Sequence, residues 1–248
     1  MDLLAGKNAV ITGCNRGIGK AILEAFVKNG ANVYAVIRQE NIDFSGYCRE
    51  LETEYGVWIK EVYADFSSEE EVKAAAKQIL SDKLPIDVLV NNVGVGLPLR
   101  SLAMTKMETI HEVFQVNYFS HMLLTQLVSK NMMRNKAGSI VFLASSAAFD
   151  GGANIEYCAS KAALIGAVKR IAVELGGLGI RCNAIAPGLT ETEMGLSMSE
   201  EDIEIAKNMN TMKRLARPEE IANTAVFLGS DLSTFTTAQV LRVDGGLR

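Results

Sequence analysis

The chain predicts a doubly wound α/β fold, with about seven parallel strands and helices on both faces. Three observations lead there. Short apolar runs alternate with longer amphipathic stretches along all 248 residues. Such alternation is the pattern of β-α-β units, whose crossovers lay helices over a parallel sheet. No composition break or internal repeat interrupts it, so one domain is expected over 1–248. Three glycines, Gly13, Gly17 and Gly19, fall where the first strand turns into the first helix.

The elements follow in order. Asn8–Thr12 is a short apolar strand. A helix with apolar Ile18, Ile22, Ala25 and Phe26 then runs to Asn29-Gly30, a helix stop. Asn32–Ile37 is the second strand, 44–56 a polar helix and 57–64 the third strand. Ser67 with Glu70, or Ser68 with Glu71, gives a capping-box pattern for the next helix. Strand four covers 86–90 after Pro85, and one long helical region is expected over 104–135. Strand five is 140–144, followed by an Ala-rich helix over 157–175 that Gly176-Gly177 closes. Strand six, 181–186, stops at Pro187-Gly188. A polar, Met-rich stretch covers 189–212, Pro218 opens a helix ending near Gly229, and 239–243 is the last strand.

Composition removes several functions. A net charge of −4 without any block of one sign argues against nucleic acid as a partner. No apolar run approaches the ~20 residues that span a bilayer, so no membrane is expected. The N-terminus lacks a basic segment followed by an apolar stretch, and no signal peptide is expected. Cys14, Cys48, Cys158 and Cys182 are scattered without CxxC spacing, which fits reduced thiols in a cytoplasmic protein. His111 and His121 pair with no cysteine or carboxylate at ligand spacing, so no catalytic metal is expected.

Chemistry concentrates in 139–161. An apolar strand ends at Ser145 and Ser146, and Tyr157 and Lys161 follow four residues apart. Four residues make about one helical turn, so phenol and ammonium share a face. A cation beside a phenol favours the phenolate and lowers its pKa from ~10. The loop Thr12 to Gly19, TGCNRGIG, lets the backbone approach a pyrophosphate at a helix N-terminus. Its Gly-x3-Gly-x-Gly spacing differs from GxGxxG and also suits a plain turn. Where an acid would bind the adenosine ribose diol, the second strand ends in Arg38. Arg16 adds a second guanidinium, and together they suit a 2′-phosphate, hence NADP(H).

With TGCNRGIG, NNVG at 91–94, Ser145, Tyr157-x3-Lys161 and Pro187-Gly188 in that order, the chain resembles the short-chain dehydrogenase/reductase family over essentially its whole length. Its C-terminal third looks most like the 3-oxoacyl-[acyl-carrier-protein] reductases. The resemblance implies a single-domain Rossmann fold. It implies catalytic roles for Asn117, Ser145, Tyr157 and Lys161, with strand register favouring Ser145 over Ser146. It implies cofactor contacts from Gly13, Asn15, Arg16, Gly17, Ile18, Gly19, Arg38, Asp65, Phe66, Asn91, Val93, Gly94, Tyr157, Lys161, Pro187, Gly188, Thr190 and Thr192. Asp65 would accept from the adenine amino group, Asn91 would brace the central strands, and Asn117 would hold a water serving Lys161. Val93 stands where alanine is usual, and Thr190 where an apolar residue is common.

The implied reaction is hydride transfer to a ketone carbon, with Tyr157 as general acid, Lys161 tuning it and Ser145 binding the oxygen. The stretch 189–212 would be a substrate lid carrying Met194, Met198, Met209 and Met212. Leu97, Pro98, Leu99 and Phe149 would add apolar walls. An acyl-carrier protein as partner is expected to meet basic residues near the cleft. Lys136 matches one such family position, while Leu178 replaces the arginine usual at another. A homotetramer is implied, built through the long helix, the Tyr157 helix and the last strand. An oxidoreductase of a sugar, small alcohol or secondary metabolite, and a non-catalytic NADP-binding regulator, are the competing readings.

Overall fold

Seven parallel strands join in one sheet with the order β3-β2-β1-β4-β5-β6-β7. They are β1 Asn8–Thr12, β2 Asn32–Ile37, β3 Ile59–Tyr63, β4 Val88–Asn91, β5 Gly138–Leu143, β6 Ile180–Pro187 and β7 Val240–Val243. The structure is a computed structural model that describes residues 2–196 and 199–247. The order runs outward from β1 in one direction and from β4 in the other. The strand ends beside that reversal, after Thr12 and Asn91, therefore diverge into a cleft.

The helices are α1 Gly17–Lys28, α2 Ile42–Tyr55, α3 Glu69–Ser81, α4 Met107–Phe114, α5 Ser120–Asn135, α6 Ala147–Asp150, α7 Ile155–Leu175, α8 Glu193–Leu196, α9 Glu200–Met209 and α10 Pro218–Gly229. Side chains alternate across each strand, so the sheet feeds two cores. Ala9 and Ile11 of β1 pack with Ile22 and Phe26 of α1, Leu51 of α2 and Ile221 of α10. Val10 packs with Ile79 of α3, Leu124 of α5 and Leu164 of α7 on the other face.

Local chemistry sets the element ends, and several differ from the sequence expectation. Asn41 caps α2 by accepting from the Phe44 N–H, so that helix starts before 44. Ser68 rather than Ser67 caps α3, accepting from the Glu71 N–H. The Glu71 carboxylate turns instead to the Asp65 N–H, so no reciprocal capping box forms. The expected helix over 104–135 is interrupted: a π turn at Gln115–Phe119 separates α4 from α5. Such a widened turn is common at functional sites, and it carries Asn117. α7 begins at Ile155, which puts Tyr157 in its first turn. Met198 of the expected lid lies outside the described residues.

Candidate active site

β1 turns into α1 through Gly13, Cys14, Asn15 and Arg16. Gly13 holds a left-handed φ of +69°, and a Cβ on Gly19 would stand 2.0 Å from the Gly13 carbonyl oxygen. No side chain fits there, so glycine alone lets α1 start this close to the strand. Asn92 fixes the turn from the neighbouring strand. Its Nδ2 donates to the carbonyls of Thr12 and Gly13 at 2.9 and 3.1 Å, and its N–H donates to Thr12 Oγ1. Burial pushes the Cys14 thiol far up, leaving it inert beneath the loop. Asn15 and Arg16 are exposed, and Ile18 packs partly into the core.

Both arginines are engaged by acids. Arg16 Nη1 lies 2.7 Å from Glu193 Oε2, at the start of α8. Arg38 Nε and Nη2 both reach Asp65 Oδ2 at 2.8 Å. Asp65 Oδ1 accepts from the Ser67 N–H and hydroxyl, each at 2.8 Å. The Ser67 N–H foremost, then the Ser67 hydroxyl and Arg38, hold the Asp65 carboxyl below its usual range against a desolvation cost. Both carboxylate oxygens of Asp65 are thus hydrogen-bonded. Phe66 turns into the core against His121, and its carbonyl accepts from the Ser120 hydroxyl.

The catalytic candidates gather past the ends of β4 and β5. Ser145 sits beside the Tyr157 hydroxyl, where it favours the ionised phenol. Ser146 is buried, its N–H bonded to the Pro187 carbonyl at the start of α6, which separates the two serines. Lys161 is buried and donates from Nζ to the Leu143 carbonyl at 2.8 Å. Its Nζ is 5.7 Å from the Tyr157 ring centroid. The lowered phenol pKa expected from the Tyr157–Lys161 spacing is not what this geometry produces. Burial outweighs the effect of neighbouring Ser145 and raises Tyr157 above its ordinary value. Burial likewise lowers Lys161 to about 8.

Asn117, on the π turn, exchanges two bonds with the Val95 backbone: Oδ1 accepts from its N–H at 2.8 Å and Nδ2 donates to its carbonyl at 3.0 Å. Nδ2 also donates to Ser160 Oγ. The side chain thereby holds the loop after β4 against α7. A Cβ on Gly94 would stand 3.2 Å from Lys161 Nζ and 3.6 Å from Asn117 Oδ1. One on Gly96 would stand 3.6 Å from Met194 Sδ and 3.8 Å from two Tyr157 ring carbons. Glycines thus keep the space open before Lys161 and Tyr157.

The far wall follows β6. Thr190 is buried, with its hydroxyl donating to the Gly188 carbonyl at 2.9 Å. The Thr192 methyl faces Gly17, 3.3 Å from where a Cβ would be. Pro187 ends β6, and the Gly188 N–H bonds Val243. Asn91 is buried, with Nδ2 donating to Thr125 Oγ1.

A glycine turn, a Ser–Tyr–Lys group and an asparagine on a π turn share one end of the sheet, and the family model described as enoyl-(acyl carrier protein) reductase matches residues 13–248. The chain belongs to the short-chain dehydrogenase/reductase family. It is an oxidoreductase of that family. It is 37% identical over 246 residues to the 3-oxoacyl-[acyl-carrier-protein] reductase FabG of Thermotoga maritima, covering 98% of each chain. It is 36% identical to the 7alpha-hydroxysteroid dehydrogenase of Escherichia coli, covering 98% of this chain and 94% of that one. The L-sorbose reductase of Gluconobacter frateurii, solved with NADPH and L-sorbose, superposes with a TM-score of 0.90 at 32% identity, over 100% and 98% of the two chains.

Sequence reasoning missed several residues that shape this dehydrogenase/reductase site. His121 Nε2 lies 2.7 Å from the Val93 carbonyl and Nδ1 3.2 Å from Asn91 Oδ1, bracing the loop after β4. Burial foremost, then the Lys161 charge, lowers its pKa to about 3. Asn154 anchors the same loop farther on, donating to the carbonyls of Leu97 and Pro98 and accepting from the Arg100 N–H. Asn92 was visible only as the second letter of NNVG. Lys136, expected near the cleft, instead caps α5 just before β5 begins. Ser145 follows the other end of that strand, so Lys136 and the cleft lie at opposite ends of β5.

Proposed function

We propose that the protein is an NADPH-dependent ketone reductase acting on a 3-oxoacyl thioester or a ketone of similar shape. The observation that carries this reading is Tyr157, its hydroxyl beside Ser145, in the first turn of the helix that holds buried Lys161. The cradle suits a dinucleotide, because glycines at 13, 17, 94 and 96 leave no side chain between the loop, Thr192, Lys161 and Tyr157. NADPH, when bound, supplies the hydride. Arg16 and Arg38 support the choice of the phosphorylated cofactor.

Ser145 holds the ketone oxygen and Tyr157 donates its proton there as the carbon receives hydride, giving a secondary alcohol. A raised pKa keeps the phenol protonated at neutral pH, which is the state that reduction needs. Lys161, at about 8, is still mostly cationic at pH 7 and stabilises the developing phenolate across the short gap. Asn117 keeps the loop and α7 in register, and the second lone pair of its Oδ1 is available to a water serving Lys161.

Exposed Leu97, Leu99, Phe149, Met194, Leu196, Met209 and Met212 support an apolar, adaptable substrate wall. We assign 189–212, which holds α8 and α9, as the lid of a single 1–248 domain. Exposed Phe119 just before α5, Val173 on α7 and Phe235 ahead of β7 support a homotetramer. Cytoplasmic residence fits the four free cysteines. Lys136 lies at the far end of β5 from its own chain's cleft, so it gives no support to delivery by an acyl-carrier protein within one chain. A second reading, reduction of a sugar or steroid ketone, is favoured by the relatives named above. Turnover of acetoacetyl-CoA, a 7-oxo steroid and a ketose with NADPH separates these. Activity on the steroid or sugar alone contradicts the thioester reading.

A further inference from the structure

We propose that Met194 is a specificity-determining residue: its thioether, seated over Gly96 at the edge of the Tyr157 ring, limits the ketone substituent on that side to about a methyl group. This deepens the reductase reading above and rests on it. A Cβ on Gly96 would stand 3.6 Å from Met194 Sδ and 3.8 Å from Tyr157 Cδ2 and Cε2. Thioether and ring edge therefore converge on one point above the glycine, each within contact distance of it. Cε2 adjoins the ring carbon that bears the hydroxyl. A ketone oxygen that accepts the Tyr157 proton thus brings one of its two substituents to this edge. Gly94 faces Lys161 and Asn117 instead, so Gly96 stands at the substrate end of the cradle.

The backbone on both sides of this gate is held. Asn117 grips the Val95 backbone, and Asn154 Nδ2 donates to the Leu97 and Pro98 carbonyls at 2.9 Å, so the strip carrying Gly96 is pinned before and after it. Across from it, α8 is fixed by its own turn. The Gly195 N–H donates to Thr192 Oγ1 at 3.1 Å, and the Leu196 N–H donates to the Thr192 carbonyl at 2.8 Å. Gly195 is buried, and a Cβ on it would stand 2.1 Å from the Thr190 carbonyl oxygen. Only the Met194 side chain, half exposed, can yield. An unbranched thioether yields in part, which makes the limit graded. The gate also bears on handedness. Hydride reaches the carbonyl from one face, so the substituent that lies under Met194 decides the configuration of the alcohol.

The measurement is kcat/KM with NADPH for acetoacetyl-CoA and for its homologues with ethyl and propyl in place of methyl. The enantiomeric excess of each alcohol is read alongside, in wild type, Met194→Ala and Met194→Leu. Wild type should lose roughly ten-fold or more in kcat/KM from methyl to propyl and give one enantiomer. Met194→Ala should shrink that methyl-to-propyl ratio by roughly five-fold or more and lower the enantiomeric excess. Met194→Leu should restore part of both. NADPH affinity from cofactor fluorescence, kept near wild type in Met194→Ala, reports an intact cofactor site. Equal losses for all three ketones, a fall in NADPH affinity that accounts for the loss, or an unchanged methyl-to-propyl ratio would overturn the proposal. Wild-type turnover of the propyl ketone as fast as the methyl one sinks this inference and leaves the reductase reading standing. So does turnover of a 7-oxo steroid, whose carbonyl has ring carbons on both sides. No turnover of any of these ketones with NADPH removes both.

Discussion

Lys161 Nζ donates to the Leu143 carbonyl at 2.8 Å and stands 5.7 Å from the centre of the Tyr157 ring. Lys161 is therefore anchored by the end of β5 and acts on the phenol through space. Burial governs the resting state of Tyr157 and raises its pKa from 10.0. A tyrosinate absorbance titration, taken as wild type minus Tyr157→Phe, should show no extra ionisation below about pH 10 without cofactor. Adding NADP⁺ puts a second positive charge beside the phenol and should shift the step downward. A step near neutral pH in the cofactor-free protein contradicts this order of effects.

His121 is neutral in the folded protein, lowered to about 3 from 6.5. Below pH 6.5 the unfolded chain takes up a proton that the folded chain refuses. Stability is therefore lost as pH falls from 6.5 toward 3, by up to about 1.4 kcal/mol per pH unit. His121→Gln keeps a donor for the Val93 carbonyl and does not titrate. Urea unfolding between pH 7 and pH 4.5 should give the variant a flatter slope than wild type, and equal slopes would refute the assignment.

Arg16 and Glu193 join the glycine loop to α8 across 177 residues. Both side chains are mostly exposed, so the pair is weak, in the range of 0.2 to ~1 kcal/mol. A 2′-phosphate must compete with Glu193 for this guanidinium. Glu193→Gln should lower the KM for NADPH by up to about five-fold and leave the KM for NADH unchanged. A rise in the NADPH KM would mean that Glu193 helps to hold the cofactor.

A Cβ on Gly19 meets the Gly13 carbonyl oxygen at 2.0 Å, backbone against backbone. Neither can move without opening the turn. Gly19→Ala should destabilise by about 1–3 kcal/mol in thermal or urea unfolding and raise the KM for either nicotinamide cofactor. Wild-type values for both would show that the loop has slack.

The fold was legible because its signals are local. Runs such as Asn32–Ile37 are buried almost throughout, and buried parallel strands read as apolar runs. The Tyr157–Lys161 pair was legible for a similar reason, since one helical turn fixes their shared face. Contacts between distant segments left no such trace. Nothing near Arg16 announces Glu193, and nothing near Arg38 shows that Asp65 will meet it edge-on. The π turn at Asn117 was hidden inside a continuous helical pattern. Buried polar braces leave no mark either: in the sequence His121 looks like an ordinary helix residue and Asn154 like an ordinary loop residue. The Tyr157 pKa went the other way because spacing reveals a neighbouring cation but not the depth of burial. Lys136 could have been placed from topology alone, as a residue before β5 lies opposite one that follows it.

The central claim is that Tyr157 delivers the proton to the ketone. Its most direct test is kcat/KM of Tyr157→Phe with NADPH and a β-keto thioester, alongside NADPH affinity from cofactor fluorescence. Loss of a positioned general acid should lower kcat/KM by roughly 10²–10⁴-fold, with NADPH affinity and thermal stability kept near wild type. Turnover within a few-fold of wild type would contradict the account.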